Sequence, residues 1–227
     1  MSYLISKFFD EDQIKKIKSS YKYCTWNDGL ESYTPKPGCE GKAIKNNLQT
    51  KLSNPEILYE GMDQNGEFID FTIARTTRTP FITRTPTGGY YRCHYDHWNL
   101  GDFSTTIFLN DPDTYAGGEL CLWIDKKEER FKLDAGWGIT YETGTCHMVS
   151  EVVAGERDAV VFWSKSWIRD MEDLREVRYW DMMAKRYEAQ TKCVYTDLKE
   201  FSENLESHFR EKSYKIRRKY LKSDDVD

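Results

Sequence analysis

The middle of the chain is a series of short runs of β-forming residues separated by turn residues. This pattern limits the possible fold more than any other feature. Asn110-Asp111-Pro112-Asp113 and Ala116-Gly117-Gly118 are typical of the intervening turns. About eight short strands at this spacing predict a mainly β barrel or sandwich. The runs are Phe68–Ile73, Phe81–Thr83, Tyr90–Asp96, Ser104–Leu109, Glu119–Ile124, Trp137–Tyr141, His147–Val153 and Asp158–Trp163.

Helices are predicted on both sides of this region. Near the start, Asp10 and Gln13 can form a capping box, and Ile14, Ile17 and Tyr21 follow at helical spacing. A second, weakly patterned helix is predicted around residues 43–52.

The chain of 227 residues is the length of one domain. We predict a single catalytic domain over residues 1–227. It would consist of a helical N-terminal support (1–65), a β core (66–170) and a helical C-terminal extension (171–227).

Composition excludes several classes of protein. Aromatic residues make up 15% of the chain, which favours a packed core over wholesale disorder. The net charge of −5 disfavours a general nucleic-acid binder. No apolar run is long enough to span a membrane, and the first residues do not read as a signal peptide. We therefore expect no membrane partner and a cytoplasmic location, or the host cytoplasm if a phage encodes the chain.

The six cysteines form no CxxC pair, so a structural zinc site is not expected. In a cytoplasmic protein they are expected to be reduced thiols, with a single disulfide as the alternative. Cys93 and Cys146 each precede a candidate metal ligand. Alternation along a strand turns them away from the metal, which predicts buried thiols.

Three polar residues are candidates for a metal centre. In an extended run His94 and Asp96 project from the same face of the strand, and His147 lies on another predicted strand. Two imidazoles and a carboxylate form the facial triad of non-haem Fe(II) oxygenases. The alternative is a structural polar pair between His94 and Asp96. A zinc site of His94, His97 and His147 would require a helix where the aromatic residues favour a strand.

Arg157 is a candidate for binding a carboxylate. It lies ten residues after His147, just beyond the turn Ala154-Gly155-Glu156. Its guanidinium group can hold a carboxylate with two parallel hydrogen bonds, as a dicarboxylate bound to the metal by its other end would require. A surface ion pair with Glu156 or Asp158 is the alternative.

Further segments, in order along the chain, resemble the 2-oxoglutarate- and Fe(II)-dependent dioxygenases. The resemblance is to the prolyl 4-hydroxylase branch, and within it to the PKHD-type hydroxylases of bacteria and phages. It spans residues 43–175 approximately. The matching segments are Ala43–Gln49, Tyr91–Asp96, Phe108–Leu120, Leu133–Gly136, Tyr141, His147, Gly155–Arg157 and Phe162–Asp170.

The resemblance implies a double-stranded β-helix, a jelly-roll fold related to the cupins. It implies Fe(II) and 2-oxoglutarate, with O₂ as the second cosubstrate and ascorbate as an optional reductant for oxidised iron. The reaction implied is hydroxylation of an unactivated C–H bond with release of succinate and CO₂. The residues carried over are His94, Asp96 and His147 for Fe(II), Arg157 for 2-oxoglutarate, and Tyr91, Thr106, Leu120 and Trp163 for the cosubstrate pocket.

Three positions depart from the family pattern. Thr85 and Phe108 replace tyrosines, and His97 replaces the asparagine that usually follows the metal-binding aspartate. These departures affect the expected contacts to 2-oxoglutarate and substrate rather than the metal ligands.

A protein or peptide substrate is implied by the prolyl hydroxylase resemblance. Arg84 and Trp98 are candidate substrate contacts, and the arginines at 75, 78, 84 and 92 favour an anionic partner. The alternatives are a small molecule or a nucleic-acid base as substrate, or a non-catalytic sensor or interaction module that binds metal and 2-oxoglutarate.

Overall fold

The computed structural model describes residues 2–32, 44–191 and 196–220. The first residue of the segment Ala43–Gln49 therefore lies outside the described residues. So does the end of the predicted C-terminal extension.

Five α-helices, two short 3-10 helices (Gly29–Ser32 and Pro112–Thr114) and fifteen strands are found in the described residues. The helices are α1 (Glu11–Tyr21), α2 (Glu56–Asp63), α3 (Gly66–Thr72), α4 (Met171–Thr191) and α5 (Thr196–Arg218). The strands are β1 (Tyr3–Lys7), β2 (Asn27–Asp28), β3 (Lys45–Asn46), β4 (Leu48–Thr50), β5 (Ala74–Thr77), β6 (Phe81–Pro86), β7 (Tyr90–His94), β8 (Phe103–Phe108), β9 (Ala116–Gly117), β10 (Leu120–Ile124), β11 (Lys127–Phe131), β12 (Trp137–Glu142), β13 (His147–Val149), β14 (Val152–Ala154) and β15 (Glu156–Ser166).

The strands form two main antiparallel sheets. The larger sheet has the order β1-β12-β8-β15-β6-β4-β2, with β5 paired to β15. The smaller sheet has the order β11-β10-β13-β7-β3, and β14 pairs separately with β9. Apart from the hairpin of β10 and β11, most neighbouring strands come from distant parts of the chain, so both sheets form only when the whole region folds.

One face of the larger sheet is covered by the first three helices. Ile107 of β8, and Val160 and Phe162 of β15, pack with Ile17 of α1 and Leu58 of α2 in one buried apolar cluster. Burial of these side chains supplies the main driving force for docking the helices.

The other face of the larger sheet faces the smaller sheet. Phe108 of β8 and Tyr141 of β12 share an apolar cluster with Leu120, Leu122 and Phe131 of the smaller sheet. This two-sheet arrangement is the double-stranded β-helix predicted above. Because strand residues alternate between faces, the odd-numbered side chains of β15 point between the sheets and the even-numbered ones point towards the helices.

The α1 helix begins as predicted. The Asp10 side chain accepts a hydrogen bond from the Gln13 amide, and the Gln13 side chain accepts one from the Asp10 amide. Ile14, Ile17 and Tyr21 are buried along one stripe of the helix.

The predicted strand Phe68–Ile73 is wrong. This segment is mostly helix α3, capped by Asn65, whose side-chain oxygen accepts a hydrogen bond from the Phe68 amide. Phe68, Phe71 and Thr72 are buried at helical spacing rather than in alternation. The aromatic and β-branched composition suggested a strand, but the cap and tertiary packing determine a helix.

The predicted helix around residues 43–52 is also wrong. Lys45–Asn46 pairs with β7, and Leu48–Thr50 pairs with β6, so the two short strands enter different sheets. The N-terminal region thus contributes strands as well as helices.

The chain divides into two compact units, Met1–Lys165 and Ser166–Asp227. The first holds both sheets and α1–α3. The second holds the predicted C-terminal helices, where Trp180 of α4 stacks on Phe209 of α5 and Asp181 pairs with Arg217 at 2.5 Å. Within the described residues, none of the helices combines the length and apolar character of a membrane-spanning segment.

Candidate metal centre and active-site cleft

Two neighbouring strands bring the predicted histidine ligands together. His94 ends β7 and His147 begins β13, and the two residues are directly paired in the sheet register. Their ring centroids are 4.2 Å apart. Asp96 follows β7, and its carboxylate oxygens lie 3.8 Å from His94 Nε2 and 3.7 Å from His147 Nε2. One ligand atom from each residue lies within 4.8 Å of the other two.

Backbone carbonyls orient both imidazoles. The Nδ1 atom of His94 is 2.8 Å from the Arg92 carbonyl, and that of His147 is 2.9 Å from the Thr145 carbonyl. A carbonyl only accepts hydrogen bonds, so each Nδ1 carries the proton and each Nε2 presents its lone pair to the cluster. Burial, and then the neighbouring His147, lower the pKa of His94, which favours the neutral imidazole that a metal binds.

Asp96 is held by two donors on neighbouring strands. Its Oδ2 atom accepts hydrogen bonds from Ser104 Oγ at 2.7 Å and Trp163 Nε1 at 2.8 Å. The other oxygen, Oδ1, faces His94. Two imidazoles and one oriented carboxylate fit a non-haem Fe(II) ion.

Arg157 lies in the interior between the sheets. Only 2% of the residue is exposed, and burial lowers the pKa of its guanidinium group. Its Nε and Nη2 atoms are buried without a hydrogen-bond partner among the described residues. Asp158 instead pairs with Arg84, because it projects from the opposite face of β15. A buried guanidinium next to Tyr115 with two unpartnered nitrogens fits a carboxylate ligand, and so 2-oxoglutarate.

One cleft of about 1700 Å³ joins the metal cluster to Arg157. The four residues predicted for the cosubstrate pocket, Tyr91, Thr106, Leu120 and Trp163, all line it. The Tyr91 ring stacks on His94 with 3.5 Å between centroids. Thr85, the first of the three departures from the family pattern, is also in the wall.

The two candidate substrate residues lie elsewhere. Arg84 points to the helix-covered face of the larger sheet, where it holds Asp158 with two hydrogen bonds of 2.8 and 2.9 Å and lies over the Trp26 ring. Trp98 is 82% exposed. His97 lines the cleft, but its Nδ1 atom contacts Asn99 at 2.8 Å, and Asp96 takes the third place in the metal cluster.

The expectation of free thiols at Cys93 and Cys146 is wrong, because these residues form a disulfide. Each precedes a histidine of the paired strands β7 and β13, so alternation places both sulfurs on the side away from the metal cluster. Their Cα atoms are 6.5 Å apart, within the usual range for a disulfide. Cys93 is exposed rather than buried.

Sequence reasoning missed several residues of the site. Ser104 shares a face with Thr106 on β8, so alternation could have identified it. Tyr141 is a fully buried phenol in the cleft wall, and burial raises its pKa well above the usual range. Lys45 is nearly fully buried in the same cleft and had only its place in a matching segment as a signal.

Comparisons with known proteins agree with this geometry. Residues 80–165 match the family model described as 2OG-Fe(II) oxygenase superfamily. A PKHD-type hydroxylase of Prochlorococcus marinus (strain NATL1A) is 32% identical over 185 residues, which cover 76% of this chain and 82% of that protein. The PKHD-type hydroxylase YbiX of Escherichia coli (strain 55989 / EAEC) is 30% identical, covering 75% and 80%.

Solved structures share the fold. A prolyl-4-hydroxylase of Pseudomonas putida has a TM-score of 0.55 at 17% identity, covering 73% of this chain and 92% of that one. A prolyl hydroxylase of Trichoplax adhaerens, in complex with a hypoxia inducible factor peptide, has a TM-score of 0.58 at 14% identity, covering 72% and 83%. With the metal cluster and the buried arginine, these relationships show that the chain belongs to the 2OG-Fe(II) oxygenase superfamily as a PKHD-type hydroxylase, a 2-oxoglutarate-dependent dioxygenase.

Proposed function

We propose that the protein hydroxylates an unactivated C–H bond in a peptide or protein, as prolyl hydroxylases do, with release of succinate and CO₂. The size of the cleft is the observation that carries this proposal. Its volume of about 1700 Å³ exceeds the roughly 300–1,000 Å³ of typical small-molecule pockets. 2-Oxoglutarate alone would leave most of it free for an extended chain.

The residues of the cleft have separate roles in this reaction. His94, Asp96 and His147 would hold Fe(II), and Arg157 would pair with the distal carboxylate of 2-oxoglutarate. The Fe(II) and 2-oxoglutarate held in this way would supply the activation of O₂ that C–H hydroxylation requires. Thr106, Leu120 and Tyr91 would enclose the cosubstrate, and Trp163 would keep the Asp96 carboxylate in place.

The lining of the remaining cleft suits a peptide backbone. Asn27, Gln49, Thr77 and Asn99 offer neutral hydrogen-bonding groups along its walls. Such groups can bind the amides and carbonyls of an extended chain without selecting one charge. A non-catalytic module that binds metal and 2-oxoglutarate would use the same cluster and the same Arg157, so formation of succinate is the measurement that separates it from a hydroxylase. Ascorbate, as protection for Fe(II), stays part of the proposal.

The first experiment measures binding of 2-oxoglutarate by calorimetry without oxygen, with Mn(II) in place of Fe(II). We expect metal-dependent binding in the parent and its loss in Arg157→Ala and His147→Ala. Arg130→Ala is the matched control, since Arg130 is an exposed arginine paired with Glu128. Equal binding by the parent and Arg157→Ala would contradict the assignment of the carboxylate site.

The second experiment tests the substrate class. Proline-containing peptide pools are incubated with Fe(II), 2-oxoglutarate, ascorbate and O₂, and mass spectrometry detects the addition of one oxygen atom. We expect peptide hydroxylation matched by succinate formation, and neither product with His94→Ala. Hydroxylation of a small molecule or a nucleic-acid base, with no peptide modified, would overturn the peptide proposal.

A further inference from the structure

Lys45 is a nearly fully buried cation in the wall of the active-site cleft. Only 5% of the residue is exposed. It lies on β3, directly paired with Tyr91 of β7, and its ammonium nitrogen is 4.7 Å from the centre of the Tyr91 ring. Tyr91 in turn stacks on His94. One aromatic ring therefore separates the ammonium group from a metal ligand.

The ammonium group has no carboxylate at ion-pair distance among the described residues. It donates one hydrogen bond, to Ser32 Oγ at 2.9 Å. Burial lowers the pKa of Lys45 to about 8, while Asp96 and Asp28 raise it from longer range. A buried cation that has one hydrogen bond and one aromatic ring but no neighbouring carboxylate is costly to keep charged, so we interpret Lys45 as a ligand-binding group rather than a structural one.

The charge balance of the site loaded with Fe(II) and 2-oxoglutarate also supports a ligand-binding role for Lys45. Fe(II) carries two positive charges and Arg157 carries one, and Asp96 with the two carboxylates of 2-oxoglutarate supplies three negative charges. The histidines are neutral. The metal and the cosubstrate are thus balanced without Lys45, on whose charge Asp28 acts only from longer range.

We propose that Lys45 forms a subsite for a carboxylate of the substrate, next to the metal centre. This inference rests on the proposed hydroxylase function and narrows it to substrates with an acidic group near the carbon that reacts. In a peptide, the carboxylate belongs either to an acidic side chain beside the target residue or to the C-terminus. The ammonium group has three N–H donors, and Ser32 occupies one of them.

The test measures binding of peptides to the protein loaded with Mn(II) and 2-oxoglutarate, without oxygen. Four pools of proline peptides are compared. One has a glutamate beside the proline, one has glutamine there, one has proline at a free C-terminus, and one has the same end as an amide. A fifth set contains small carboxylic acids and their amides. The variants are Lys45→Met and, as control, Lys51→Met, which removes an exposed lysine from the same cleft.

We expect a carboxylate pool to bind the parent and Lys51→Met equally, and to bind Lys45→Met about 10- to 100-fold more weakly, as for loss of a charged hydrogen bond. The amide pools should bind all three proteins alike. Whichever carboxylate pool responds, side chain or C-terminus, identifies the source. The affinity for 2-oxoglutarate should be the same in all three proteins, which also shows that Lys45→Met is folded.

Other outcomes distinguish failure of the Lys45 subsite from failure of the proposed hydroxylase function. Equal binding of carboxylate and amide pools by the parent and Lys45→Met would overturn the subsite and leave the hydroxylase. Loss of 2-oxoglutarate binding in a Lys45→Met protein that melts at or above the temperature of the parent would also overturn it, because Lys45 would then bind the cosubstrate. If only small carboxylic acids bind, and do so through Lys45, the peptide substrate is wrong and the subsite stands. If none of the probes depends on Lys45, the subsite is wrong.

Discussion

At the scale of single residues, the geometry of the metal site depends on side chains that hold the metal ligands in place. Asp96 binds through one oxygen to Trp163 and Ser104, which leaves the other towards the metal cluster. Such outer partners fix the direction of a ligand and its affinity for metal.

Trp163→Phe keeps an aromatic ring in the cleft but removes the N–H that Asp96 accepts from. We expect affinity for Mn(II) to fall about 10-fold, as is typical for loss of an outer hydrogen bond. Metal titration of the purified protein measures it. Trp137→Phe, at a partly exposed position of β12, is the control. Unchanged affinity in Trp163→Phe would mean that Ser104 alone orients the carboxylate.

Arg84 allows a test of structural against substrate-binding roles. It pairs with the buried Asp158. Among the described residues, Arg84→Met would leave that carboxylate with only the Tyr21 hydroxyl as a side-chain donor. We expect the free energy of unfolding in urea to fall by about 2 kcal/mol, less than for a fully buried pair because Arg84 is partly exposed. Arg130→Met, in an exposed pair, should cost under about 1 kcal/mol. If the Arg84→Met protein is as stable as the parent but binds substrate more weakly, Arg84 is a substrate contact, as the sequence predicts.

At the scale of elements, the disulfide joins two paired strands that both carry metal ligands. The two cysteines are 53 residues apart in sequence, and their disulfide closes the loop between β7 and β13. Chain-entropy arguments put the value of such a crosslink at up to about 4 kcal/mol. We expect the Cys93→Ser/Cys146→Ser variant to unfold at a lower urea concentration than the parent. Its free energy of unfolding should be lower by up to that amount. Cys24→Ser, at a free cysteine, should show no such loss.

Two observations would contradict this prediction. One is a double variant as stable as the parent. The other is an equal loss of stability in Cys24→Ser, which would indicate a general effect of replacing cysteine.

The elements also show what the sequence can predict. Alternation puts His94 and Asp96 on one face, and the structure brings both near His147. The ordered segments of the family added support for His147 and Arg157, which remain predicted ligands. Phe68–Ile73 was misassigned because composition alone does not reveal that Asn65 caps a helix there. The disulfide and the burial of Lys45 could not be predicted in the same way. Both depend on which strands pair across distant parts of the chain, and alternation within one strand carries no such information.

At the scale of the whole molecule, Lys45 links stability to pH. Its pKa is about 8 in the folded protein, against an ordinary value of 10.5. Between these values the unfolded chain binds more protons, so stability rises with pH over this range. At pH 7 the buried charge destabilises the ligand-free protein by up to about 3 kcal/mol.

Lys45→Met should therefore be more stable than the parent at pH 7, and the difference should shrink as pH rises from 8 to 10.5. Urea denaturation of both proteins across this range measures it, with Lys51→Met as the reference. A constant difference between parent and Lys45→Met would contradict the depressed pKa. A gain in stability on removing a residue is typical of functional sites.

The cytoplasmic location stays a prediction. A disulfide is more common in oxidising compartments, so Cys93–Cys146 is an observation that weighs against it.

The same crosslink affects how activity must be measured. Fe(II) has to be protected from oxidation during an assay, and dithiothreitol is a common protectant. A dithiol exchanges with accessible disulfides, and Cys93 is exposed, so this additive would open the link one residue from each histidine ligand. Ascorbate takes no part in thiol–disulfide exchange and would protect the iron without that effect. Preparations kept in the two additives are therefore chemically different proteins, and their turnover rates should be compared only after the thiols have been counted.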